Sequence, residues 1–246
     1  MPWRKDTSPY YVLVSELMLQ QTQVDRVIPK FNEFVKRFPS VGTLADAPLS
    51  DVLIAWNGLG YNRRAKFLHE AAKKVVTDFD GIIPPTTSEL IGLPGVGVNT
   101  AAAILAYSFN QPVVFVETNI RTVYFHHFFK DSSVVSDKEL HQVVEQTLDH
   151  KHPREFYQAL MDYGSYLKKQ GVGHIDKSAH YKKQSILKGS LREVRGQIIR
   201  TLTTGDMDEI ELRAATDADE RFGPALSSLI KDGLVSRTGA ILHLTK

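Results

Sequence analysis

The chain has 246 residues, 42% of them apolar, a net charge of +2 and no cysteine. That length and apolar share suit one large domain, or a medium domain plus a small one, around a full core. The missing thiols exclude disulfides, thiolate zinc sites and thiolate-held iron–sulfur clusters, and no apolar run or leader-like segment marks a membrane or secretory route, so a cytoplasmic protein with no membrane partner is expected.

The first 186 residues read as helix almost throughout. Ser8-Pro9 predicts an N-cap followed by proline at the first helical position. The helix it opens, to about Gln21, is apolar at Val12, Leu13, Val14, Leu17, Met18 and Leu19, too many for one stripe, so it should be central. A second helix is predicted over about 23–37, kinked at Pro29. Ser50 should cap a short helix through Trp56, which Gly58-Leu59-Gly60 then ends. Residues 62–79 follow as a long helix with Ala65, Leu68, Ala72, Val75 and Val76 inward. Further helices are expected over 99–108, 119–129, 136–148 and 153–168.

Composition changes at residues 168–189, which read as a glycine- and lysine-containing linker. Beyond it, 191–202, 209–215 and 218–231 read as helices. Residues 234–244 alternate around a Thr-Gly turn, a hairpin signal. Three helices and a terminal hairpin predict a winged-helix-like module over 187–246, after a helical domain over 1–186. Its last helix mixes acids with bases, so contact with DNA and contact with protein both stay open.

The segment Leu93-Pro94-Gly95-Val96-Gly97-Val98-Asn99-Thr100 carries the sharpest signal. Two glycines, able to take positive φ, lead straight into an alanine-rich helix, and the short run at Leu90 and Ile91 precedes them. The N–H groups of Val98, Asn99 and Thr100 then face outward at the positive end of a helix dipole, which makes an anion site. Helix, glycine hairpin, helix is a device that grips a DNA phosphate without reading sequence.

Two carboxylates complete the set. Glu16 lies within the apolar first helix, where burial should raise its pKa and fit it as a proton donor. Glu117 lies at a helix start, where the dipole should keep it ionised. One acid that donates a proton, beside another that supports an oxocarbenium-like centre, is the arrangement for cleaving a glycosidic bond.

Pro2-Trp3-Arg4, Ser15 to Val24 around Gln20-Gln21, Gly58-Leu59-Gly60-Tyr61 and Leu93 to Gly97 together resemble the helix–hairpin–helix base-excision DNA glycosylases over about residues 2–166. The glutamine-rich stretch is similar to the MutY-type adenine glycosylases, which remove adenine mispaired with 8-oxoguanine. The resemblance implies an all-α helix–hairpin–helix glycosylase fold, here with the small C-terminal winged-helix-like module. It implies that Glu16 protonates the adenine ring, with Glu117 and Asn119 beside it at the reacting sugar. It implies that Arg4 and Asp162 line the base pocket. Gln20 and Gln21 would fill the duplex beside the extruded base, Tyr61 would be an aromatic wedge near the opposite, damaged base, and Gly95, Gly97, Asn99 and Thr100 would meet DNA, as would Lys182 and Lys183. A basic face including Arg63, Arg64 and Lys66 would add contacts.

Where bifunctional relatives carry a lysine nucleophile this chain has Asn99, which cannot form a Schiff base, so base removal without efficient strand cleavage is expected. Glu117 stands where the family has aspartate, one methylene shorter. The cysteine-free stretch after Asp162 implies a cluster-free variant without an iron–sulfur cofactor, while a monovalent cation on the hairpin carbonyls fits the family. The winged-helix-like module stands where a domain reading 8-oxoguanine would follow. The expected partner is double-stranded DNA with a mispaired or damaged base, bound by a monomer. Removal of thymine or uracil from mismatches, and catalytically silent DNA binding, are the alternatives.

Overall fold

A computed structural model describes residues 1–246 except 174, 180–185 and 217–218. Eleven α-helices come first: α1 (Pro2–Lys5), α2 (Pro9–Leu19), α3 (Val24–Arg37), α4 (Val41–Asp46), α5 (Leu49–Trp56), α6 (Arg63–Asp78), α7 (Thr87–Ile91), α8 (Val98–Phe109), α9 (Thr118–His127), α10 (Asp137–Thr147) and α11 (Pro153–Lys169). The C-terminal part holds α12 (Leu191–Leu202), β1 (Met207–Asp208), α13 (Glu209–Ala215), α14 (Phe222–Lys231), β2 (Val235–Thr238) and β3 (Ile241–Leu244).

Local chemistry sets many of these boundaries. Ser40, Ser136 and Asp208 each form a reciprocal capping box with the residue three positions on. Pro9 and Pro153 open α2 and α11, where a missing N–H costs nothing. Asn110 ends α8 in the left-handed conformation.

The apolar side chains form two cores. One gathers α1 to α6 around Leu13, Leu17, Phe31 and Trp56, and it continues into Val194, Leu229 and Leu242 of the C-terminal part. The other gathers α9, α10 and α11 around Phe115, Phe125 and Tyr157. Helix α8 serves both, giving Ala101, Ile104 and Leu105 to the first and Ala102, Ala103 and Ala106 to the second. Its alanine run is therefore a packing device. Small side chains let one helix lie close to neighbours on two sides.

Several expectations need correction. The first long helix ends at Leu19, because Gln21 takes φ +55° and turns the chain. Ser50 lies inside α5, whose N-cap position is Pro48. Val76 is exposed on α6, while Arg64, His69 and Ala71 are buried there. The hairpin turns at Gly239-Ala240, and β3 also pairs with β1, giving a three-stranded antiparallel sheet of order β1-β3-β2. The last helix begins at Phe222. Among the described residues no helix is long and apolar enough to cross a membrane.

Candidate active site

Helix α2 carries Glu16 to the seam between the two cores. Its neighbours Ser15, Leu17 and Met18 are fully buried, while Glu16 keeps partial solvent contact. The acid is thus partly open to solvent rather than in sealed core. Burial pushes its carboxyl well above the usual range, and the charge of Glu117 pushes it further.

Glu117 occupies the N-cap position of α9, but its side chain makes no capping bond. The carboxylate is left for other work. Its pKa is raised by burial, against the expectation that the helix dipole keeps it fully acidic. Desolvation outweighs the dipole here because the group is largely withdrawn from water. The two acids lie within each other's field, and burial first, then the charge of Glu117, favours the protonated form of Glu16.

Tyr107 on α8 was missed by sequence reasoning. Burial and the charges of Glu16 and Glu117 raise its pKa well above the usual value, while Arg4 opposes them. Its hydroxyl is therefore a neutral donor within the field of both acids. Its ring packs edge-on to Phe115, 5.9 Å away. An aromatic in an alanine-rich helix was the available signal.

Around this pair the fold fixes three further groups. Asn119 lies in the first turn of α9, and its amide oxygen is buried with no hydrogen bond among the described residues. Gly164 of α11 allows that turn to approach, since a Cβ there would lie 2.2 Å from the Asn119 backbone oxygen. Asn99 donates to the carbonyl of Val116 at 3.3 Å, tying the start of α8 to the residue before Glu117.

Arg4 and Asp162 form a two-point ion pair at 2.8 and 2.9 Å that joins α1 to α11. Asp162 is mostly exposed, and Arg4 is the better enclosed of the two. They engage each other across the chain's full helical body, and Arg4 also lies within the field of Tyr107.

The glycine hairpin joins α7 to α8. Gly95 has φ +78°, and a Cβ there would lie 2.8 Å from Phe67 Cβ, so glycine is required twice over. Gly97 does not use positive φ. It is the extended N-cap residue of α8, with open space where a Cβ would stand. Val98 and Asn99 are exposed and Thr100 half-buried in the first turn of α8. The amide of Gln20 reaches the Gly95 carbonyl at 3.5 Å, linking the hairpin to the end of α2.

The expected basic face is mostly something else. Arg64 is buried, and its guanidinium donates to the carbonyls of Leu17, Met18 and Gln20 at 2.6–2.8 Å and to Gly60 at 2.9 Å. Burial lowers its pKa to about 10. It satisfies the last carbonyls of α2 and shapes the Gln20–Gln21 turn. Lys66 donates to the Asp232 carbonyl, and only Arg63 stays well exposed. Tyr61, at φ +49° and partly exposed, lies between the guanidinium groups of Arg64 and Arg192. Lys182 and Lys183 lie outside the described residues.

The donor set settles the question of a cluster. With no cysteine in the chain, a thiolate-held iron–sulfur group has no ligands. Among the described residues no group of three or more His, Asp or Glu side chains could hold a metal ion.

A buried acid pair beside a helix–hairpin–helix loop agrees with three comparisons. Residues 14–150 match the family described as the HhH-GPD superfamily base excision DNA repair protein. The adenine DNA glycosylase of Buchnera aphidicola subspecies Baizongia pistaciae is 39% identical over 68% of this chain and 48% of its own length. That of Mycobacterium tuberculosis is 35% identical over 97% of this chain and 86% of its own. Among solved structures, a thermostable thymine-DNA glycosylase superposes with a TM-score of 0.59 at 25% identity, over 67% of this chain and 77% of that one. The chain belongs to the HhH-GPD superfamily of base excision DNA repair proteins and, within it, to the adenine DNA glycosylase family.

Proposed function

We propose that this protein is a monofunctional DNA glycosylase that hydrolyses the N-glycosidic bond of adenine mispaired with 8-oxoguanine or guanine. The observation that supports the reading is a pair of desolvated acids close enough to feel each other's charge, with burial and Glu117 both favouring the protonated form of Glu16. A base inside a stacked duplex is out of reach, so it must first turn out, at a cost of a few kcal/mol. Glu16 then gives its proton to a ring nitrogen of the base. The bond from sugar to base breaks with its electron pair going to the base. Glu117, ionised, faces the cationic sugar and accepts a proton from the water that adds to it. Asn119's buried amide oxygen is placed to orient that water or the sugar.

Arg4 and Asp162 flank the base. Gln21 and Tyr61 fill the gap it leaves, and the backbone N–H groups at the start of α8, with Gly95 and Gly97, hold a phosphate beside it. The hairpin carbonyls of Leu93, Gly95 and Gly97 each accept one hydrogen bond and retain a second lone pair, which suits a monovalent cation. Asn99 offers no amine, so the product is an abasic site in an uncut strand. Residues 1–186 form the catalytic domain and 187–246 a winged-helix-like one.

The test is single-turnover base release from duplexes carrying adenine, thymine or uracil opposite guanine or 8-oxoguanine, with alkali added afterwards to reveal abasic sites. Adenine release that appears only after alkali supports the reading. Release of thymine or uracil instead would move the enzyme toward the thymine-DNA glycosylase it superposes on. Tight duplex binding with no base released would mark a silent binder.

A further inference from the structure

The C-terminal module does more than extend the core. Between α12 and the loop over residues 57–62 lies an open cleft of about 1040 Å³, large beside a single nucleotide. It is lined by six arginines, Arg26, Arg63, Arg64, Arg192, Arg195 and Arg200, against two carboxylates, Glu193 and Asp232. The whole chain has a net charge of only +2, so positive charge is concentrated here. Both walls are held in place. Asp232 accepts from Arg195 at 2.7 Å and faces Arg63 at 3.8 Å, while its carbonyl takes Lys66.

Helix α12 presents one face to the cleft, with Arg192, Gly196 and Arg200 at successive turns and Gln197 beside them. Arg200 is exposed and has no ion pair among the described residues. Gln197 has no hydrogen bond among them. Gly196 sits in mid-helix, where glycine costs about 1 kcal/mol against alanine, and a Cβ there would meet nothing within 4 Å. No contact among the described residues requires that glycine, but a backbone laid along the helix would.

Gln20 and Gln21 also line the cleft. Glu16 lies one helical turn earlier on α2, about 6 Å along the axis, and does not. The Gln20–Gln21 turn therefore lies between Glu16 and the arginine cleft. A duplex that has surrendered a nucleotide to Glu16 places its other strand beyond that turn.

We propose that this cleft binds the sugar-phosphate backbone of the strand opposite the excised base, with Arg200 on a phosphate and Gln197 hydrogen-bonding the same strand. The proposal rests on the glycosylase reading above for its choice of strand. Guanidinium groups recognise phosphate oxygens without regard to sequence, which is the chemistry that orients a duplex.

The experiment is a hydroxyl-radical footprint on a duplex carrying a tetrahydrofuran abasic analogue opposite 8-oxoguanine. The unaltered protein should protect both strands. Arg200→Glu and Gln197→Ala should lose protection on the 8-oxoguanine strand and keep it on the analogue strand. Duplex affinity should fall about tenfold for Arg200→Glu, and Arg200→Ala should reduce the salt slope of binding by about one. Unchanged protection of the opposite strand in both variants overturns the proposal, as does equal loss on the two strands. A cleft that serves a protein partner instead would give the unchanged result. Both side chains lack partners among the described residues, so thermal melting should match the parent. Base release is measured separately: a protein that shows the footprint but frees no base contradicts the glycosylase reading alone.

Discussion

A Cβ on Gly164 would lie 2.2 Å from the backbone oxygen of Asn119, so helix α11 uses a glycine to let α9 start where it does. Glu117 and Asn119 both sit on that start. Gly164→Ala should push the turn outward by about 1 Å, a displacement that costs about a hundredfold in rate. Overpacking should also cost about 1–3 kcal/mol of stability. Single-turnover excision and thermal melting measure the two effects. A variant that excises at the parent's rate would show that the contact does not position the acid.

Glu16 and Glu117 both have raised pKa values, so the rate of base release should be bell-shaped in pH. Its acid limb, where Glu117 takes a proton, and its basic limb, where Glu16 loses one, should both lie above the ordinary glutamate value of about 4.5. Glu16→Gln should abolish excision and leave duplex binding largely intact.

The same shifts set a stability profile. A carboxyl with a raised pKa makes the folded protein bind more protons than the unfolded chain. Its favourable contribution is complete below the unfolded value, near 4.5, and is lost as pH rises through the folded value. Glu16→Gln removes that loss. Its melting temperature should therefore gain on the parent between pH 4 and pH 8, as calorimetry at both ends would show. A gain that shrank with pH would contradict the burial of this acid.

Glu117→Asp draws the carboxylate back by about one bond length, about 1.5 Å. Tyr107 lies within the field of that carboxylate, so its withdrawal changes the local electrostatics. Excision should fall at least tenfold, and the pH profile should shift because the field on Glu16 weakens. Equal activity would mean that the cavity adapts to either acid.

Arg64 is a structural cation. Replacing it by methionine should strand the carbonyls of Leu17, Met18 and Gln20 and cost about 3 kcal/mol, since bonds to charged groups contribute about 1.5–3 each. A fall in melting temperature of roughly 6–12 °C is expected at this chain length. An exposed DNA-contacting arginine would instead change affinity and leave melting alone.

Much of this was legible in the residues. Helix limits over 191–202 and 209–215 match the reading, because apolar period and capping residues are local properties. Gly95 declared a turn that only glycine makes. The strand β1 was hidden, since two residues carry no period, and it exists only because β3 offers an edge. Arg63, Arg64 and Lys66 read alike as exposed base, yet Arg64 is sequestered by the end of a helix 44 or more residues away.

By itself the sequence determined the helical class, the hairpin with its outward N–H groups, the absence of any thiolate ligand and the candidacy of two acids. Those depend on residue type and spacing, which act over a turn or two of chain. Tertiary structure decided that Glu16 and Glu117 lie within each other's field, that desolvation overrides the dipole at Glu117, and that arginines of α3, α6 and α12 line one cleft. Charge and burial are fixed by what surrounds a group in space, and those neighbours come from distant parts of the chain.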